Sequence, residues 1–316
     1  MKPSSAITAT LSRRTGNVSG RSSTASERDR SAALTPPKAA YRLTNLLNAI
    51  SQAHGTPRFP IDVQSLALEA ANIFKWDDPI TEVRGEAINN FDGALFPDDG
   101  RKRWLLLYNS ALRSLGRIKF TQAHELGHYL LHRHERECFQ CTDEDMVDLD
   151  LDERDIEAEA DYFASTLLMP LDDFRAQMGT EACLDAISGC ADRYGVSLTA
   201  ALLRWIGYTD HNAVVVIHRD GYVLKSKASQ SAFRSGAFFP SRRKVIAVPD
   251  AVLASSDVPK NTTGVETDAK LWFPYVASGT SLREMKVTAD HYDFAISLLV
   301  LPRGTSAWKP RCSDKA

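Results

Sequence analysis

The chain has 316 residues, 43% hydrophobic and 25% charged, with 38 Lys+Arg against 40 Asp+Glu. That is ordinary globular composition, enough for a sizeable core and one or two domains. A net charge of -2 leaves no electrostatic footprint for nucleic acid or an anionic membrane, and no apolar run reaches spanning length. Five cysteines, an odd number in a long chain, argue against a disulfide framework and for a reducing, cytoplasmic setting.

Residues 1–39 open with a Ser/Thr/Arg tract, without acidic residues before Glu27, that ends in "LTPP". Lacking apolar periodicity, it reads as a disordered tail; an organellar transit peptide is the competing reading. Order begins at "AAYRLTNLLNAISQAHG", where Leu43, Leu46, Leu47 and Ile50 recur at helical spacing and Gly55 ends the run. "IDVQSLALEAANIF" predicts a second helix, led in by Pro60 and capped by Asp62. In "GALFPDDGRKRWLLLYNS" a Pro-Asp-Asp-Gly turn between apolar runs predicts a hairpin whose second strand is "WLLLYN".

A helix then carries "TQAHELGHYLLHRH", residues 121–134. A helix advances about 100° per residue, so His124 and His128 share one face a turn apart. Both imidazoles can reach one Zn²⁺, with Glu125 beside them as a general base for a metal-activated water. Such a site needs a third protein ligand and leaves a fourth position open. His132 continues the ladder, but three ligands on successive turns of a straight helix splay along its axis. His134 stands where some zinc proteases place a third histidine, yet the glycine that lets their chain turn back is here Leu131. Both are read as structural, facing solvent or the acidic residues that follow.

Residues 135–155 are acidic and read as a loop. The next helix, "IEAEADYFASTLLMP", supplies the remaining candidates. Glu157 and Asp161 share a face, so Glu157 can ligate while Asp161 holds a histidine ring N–H. Glu159 lies about 200° away from Glu157, so the two cannot both ligate, and Glu157 is preferred. Ala160 and Ala164 would let the two helices approach closely.

Together, "FTQAHELGHYLLH" and "EAEADYFASTLLMP" resemble the ImmA/IrrE family of metallopeptidases, with its F-T-x-A-H-E-L-G-H-x-L-L-H segment and E-x-x-A-[ND]-x-F-A-x-x-L-L-M-P helix. "DGRKRWLLLYNS" sits where that family has the strand before its metal helix. The resemblance covers about residues 40–210. It implies a gluzincin-like zinc site with His124, His128 and Glu157 as ligands and Glu125 as base. It further implies cleavage of a helix–turn–helix transcriptional repressor. The acidic insert 135–155 and the N-terminal tail depart from the family's pattern.

Cys138 and Cys141 form a C-x-x-C whose complement for a second metal is missing, since Cys183 and Cys190 have the wrong spacing. "CADRYGVSLTAALLRW" has helix–turn–helix form, but its second helix offers only Arg204 to a phosphate backbone, so it reads as a packing unit. From residue 211 the pattern turns to strands: "NAVVVIHRDGYVLKS" predicts a hairpin about Asp220-Gly221, and "DFAISLLVLP" a late strand.

The expectation is an α+β chain with a zincin-like (gluzincin-type) metallopeptidase domain at 40–210 and a smaller β-rich domain at 211–316. It would be a zinc endopeptidase with the substrate strand added along "WLLLYN" as a sheet edge. The rival is a non-catalytic zinc-containing protein that holds a repressor or antitoxin-like partner.

Overall fold

The computed structural model describes residues 34–135, 139–141, 151–241, 243–289 and 293–310, and the fold is mixed α+β. The tail expected at 1–39 lies largely outside these residues, as does Cys138; the side chain of Cys141 is likewise not described. Helix α1 (Pro36–His54) already starts inside the stretch read as tail. The prolines that suggested a break sit at its first positions, where a missing N–H costs nothing. Gly55, in the left-handed conformation, ends it. Helix α2 (Val63–Phe74) is capped by Asp62, whose carboxylate accepts from the Ser65 N–H at 3.1 Å.

Strands β1 (Ile80–Glu86), β2 (Gly93–Pro97), β3 (Trp104–Asn109) and β4 (Phe139–Cys141) form one sheet in the order β1-β3-β2-β4. The β2–β3 hairpin is as expected, and Asp98 closes its turn by accepting from the Lys102 and Arg103 backbone N–H groups. β3, expected at an edge, is instead central, parallel to β1 on one side and antiparallel to β2 on the other. The continuous apolar run Trp-Leu-Leu-Leu, without polar alternation, fits a strand whose two faces are both largely covered.

Helix α3 (Leu115–Leu131) crosses this sheet over β2 and β3; Ser114 caps it through the Arg117 N–H. Helix α4 (Leu151–Leu168) packs along α3, and it begins within the segment expected to be a loop. Helices α5 (Leu171–Gln177), α6 (Leu184–Tyr194) and α7 (Leu198–Ile206) follow. In the last pair Gly195 turns the chain at φ 61° and Ser197 caps α7. Arg204 does not face outward as a DNA contact: its Nε donates to the Met169 carbonyl at 2.9 Å, tying α7 to the end of α4.

The remaining strands, β5 (Asn212–Arg219), β6 (Tyr222–Ala228), β7 (Lys260–Asp268), β8 (Ser281–Ala289) and β9 (Phe294–Leu301), form an antiparallel sheet ordered β6-β5-β9-β8-β7. The β5–β6 hairpin turns at Asp220 and Gly221, both at positive φ, as the Asp-Gly pair predicts. One face of the sheet, including Val214, Val216 and Leu299, packs on Trp272, Phe273 and Val252. Buried Glu284 organises that side, accepting from the Ala254 N–H, the Thr267 hydroxyl and the Trp272 indole. α7 lies against β5, and Thr262 donates to Asp185 of α6 at 2.9 Å. Among the described residues no helix is long and apolar enough to cross a membrane.

Candidate metal centre

The contact between α3 and α4 places the site. Gly127, inside the H-E-L-G-H stretch, faces α4 so closely that an added Cβ would stand 3.2 Å from the Ala160 Cα and 3.0 Å from the Phe163 ring. The rotation of α3 is pinned at its far end by the Asp78 loop. Tyr129 donates to the Asp78 carbonyl at 2.9 Å, and Arg133 pairs with the Asp78 carboxylate at 2.9 Å while lying 3.4 Å over the Trp76 ring. With distance and rotation fixed, side chains on the facing stripes have to meet.

His124, His128 and Glu157 do meet: each offers one ligand atom, and these atoms lie within 4.8 Å of one another. His124 Nε2 is 3.0 Å from one Glu157 oxygen, His128 Nε2 is 3.4 Å from the other, and the two Nε2 atoms are 2.9 Å apart. A tetrahedral ion with bonds of about 2.0–2.1 Å holds its ligands about 3.3 Å from each other, so the spacing suits a small divalent cation. Two imidazoles and a carboxylate are also the donor set of catalytic zinc.

Burial shapes the electrostatics. His128 is fully buried, and desolvation pushes its pKa down to about 4 against the pull of Glu157, which keeps a neutral ring with a lone pair to offer. Burial alone would raise Glu157, but hydrogen bonds with His124 and His128 outweigh it and hold the carboxylate well below its usual range. Asp161 Oδ1 lies 3.0 Å from His124 Nδ1, where it accepts the ring N–H and turns Nε2 toward the cluster.

Glu125 is fully buried beside the cluster, and a Cβ added at Gly93 of β2 would stand 2.8 Å from its Oε1. The first residue of β2 is therefore a floor under this carboxylate. His134 is exposed. His132 departs from expectation: it is 2% exposed, not solvent-facing, and lies between His128 and Glu159. The Asp78 anchor was not found from the sequence, because Trp76, Tyr129 and Arg133 are brought together only by the fold.

Fold and site thus define a mixed α+β domain whose two packed helices carry a metal-type cluster. Residues 77–205 match the family model for the IrrE N-terminal-like domain, Peptidase_M78, and this segment holds the motifs that resemble the ImmA/IrrE family. The family is one of metallopeptidases. No curated protein matches the chain. Among solved structures, a Mycobacterium tuberculosis transcriptional regulator aligns over 86% of this chain and 90% of its own, with 13% identity and a TM-score of 0.42. So distant a likeness bears on neither site nor substrate.

Proposed function

We propose that the chain is a zinc-dependent endopeptidase of zincin-like, gluzincin type. His124, His128 and Glu157 would hold the ion and Glu125 would act as general base. The observation that carries this reading is the convergence of two imidazoles and one carboxylate beside a second, fully buried carboxylate on the same helix. Zinc bound there supplies Lewis acidity, polarising the scissile carbonyl and making a water nucleophilic near neutral pH. Glu125 takes the proton of the attacking water and hands it to the departing amide nitrogen. Its burial against β2 excludes bulk water and fixes the carboxylate. Asp161 keeps the His124 proton on Nδ1, so that Nε2 stays a donor atom.

The proposed substrate class, a DNA-binding helix–turn–helix repressor, is what the motif resemblance to the ImmA/IrrE family implies. Wild-type protein incubated with zinc and such a repressor should cut it at one segment, whereas Glu125→Gln should bind zinc, stay folded and leave it intact. Equal cleavage by both would move the base elsewhere. Zinc binding with no cleavage of any repressor by wild type would favour the rival, a protein that holds its partner without cutting.

The chain is further proposed to divide near Asp210 into the peptidase domain 40–210 and a sensor-like module 211–316. A 1–210 fragment is then expected to be soluble and to take up zinc; an aggregated, metal-free fragment would make the second sheet part of the peptidase.

A further inference from the structure

Three carboxylates leave α4 within five positions, and two are accounted for: Glu157 in the cluster and Asp161 behind His124. The third, Glu159, faces His132, with its Oε2 3.1 Å from the His132 Nε2. His132 Nδ1 is in turn 3.2 Å from His128 Nδ1. A neutral imidazole carries one N–H and one lone pair, so this contact needs a proton on one nitrogen and none on the other. His128 directs Nε2 at His124 and Glu157; to offer a lone pair there it must carry its proton on Nδ1 and donate to His132. His132 Nδ1 is then the acceptor, its proton sits on Nε2, and Glu159 accepts that one. Each tautomer forces the next.

We propose that His132 and Glu159 are positioning residues for His128: an imidazole bridge that links the His128 ring to a carboxylate too far along α4 to touch it. His124 gets the same support from Asp161 directly. The same argument explains why a third histidine at helical spacing need not ligate, for its place one turn on puts it behind His128. It also explains how an exposed carboxylate can act on a buried ring, since Glu159 is half-exposed while His132 and His128 are closed to water. Support of this kind is worth about 10- to 100-fold in metal affinity.

The inference rests on the proposed zinc site, and its test reads metal and protons rather than peptide cleavage. Zinc affinity would be measured by chelator competition on the full-length chain for wild type, His132→Leu, His132→Gln, Glu159→Leu and the His132→Leu/Glu159→Leu double variant. His132→Leu should bind zinc about 10- to 100-fold more weakly. His132→Gln should recover much of the loss, because its amide can accept from His128 and donate to Glu159. Glu159→Leu, on a half-exposed site that tolerates the change, should weaken binding, and the double variant should be no worse than His132→Leu alone. Long-range proton–nitrogen spectra of the zinc-loaded wild type should place the His128 proton on Nδ1 and the His132 proton on Nε2. Additive losses in the double variant, affinity within twofold of wild type in His132→Leu, or a proton on His132 Nδ1 would each overturn the assignment. A wild type that takes up no zinc would instead overturn the proposed function itself, and this assignment with it.

Discussion

Gly127→Ala tests how the site is built. The new methyl would stand 3.0 Å from the Phe163 Cδ1, 3.2 Å from the Ala160 Cα and 3.4 Å from the Ala160 carbonyl oxygen. Ordinary carbon contacts are about 3.5–4.0 Å, so α4 must retreat by roughly 0.3–0.5 Å. The ring of Phe163 could turn aside, but the Ala160 backbone cannot. Overpacking of this kind costs about 1–3 kcal/mol, while replacing a helical glycine by alanine returns about 1 kcal/mol, so the metal-free protein should lose at most about 2 kcal/mol of stability. Metal binding should suffer more, because zinc–ligand distances tolerate only about 0.2 Å and Glu157 retreats with α4. If about 1–2 kcal/mol is needed to bring the helices back together, affinity falls about 5- to 30-fold. Chelator competition reads the affinity, and thermal unfolding of metal-free protein reads the packing. An affinity within twofold of wild type would refute the idea that Gly127 sets the distance between the ligands.

Other expectations follow from single residues. Glu157→Ala should lose most zinc affinity while His134→Ala keeps it, measured by the same competition; the reverse would put the third ligand on the turn after α3. His218 is buried in the second sheet, 3.0 Å from the Ser297 hydroxyl, and desolvation pushes its pKa down to about 4. Between pH 6.5 and about 4 the unfolded state therefore holds the extra proton. The contribution of this group is intact above pH 6.5 and is lost as pH falls through that window, by about 3 kcal/mol in full. Chemical denaturation from pH 7 to 4.5 should show this slope in wild type and a shallower one in His218→Gln; equal slopes would mean the imidazole charges in place.

Much of the site could be read because helical periodicity converts spacing into direction. His124 and His128 needed only a helix, and Glu157 with Asp161 needed only a second helix facing the first. What spacing cannot carry is the neighbour of a side chain on another element. His132 was judged by the axis of its own helix, an argument that says nothing of Glu159. Strand order fails for a similar reason: "WLLLYN" announces a strand, but its pairing with β1, which makes it central, is long-range. The Asp-Gly and Pro-Asp-Asp-Gly turns were legible because their chemistry is local. The start of α1 was misread because Pro36 and Pro37 signal both the end of disorder and the first turn of a helix.

Every group placed at the cluster, from His124 to Asp161, comes from one short stretch of chain, and His124 and Glu157 are only 33 positions apart. Joining α3 to α4 is thus one modest loop closure, whose chain-entropy cost is about 3–4 kcal/mol. That cost grows only with the logarithm of loop length, about 0.6 kcal/mol for each doubling. The acidic stretch between the helices can therefore lengthen or shorten at small thermodynamic expense while the cluster keeps its shape.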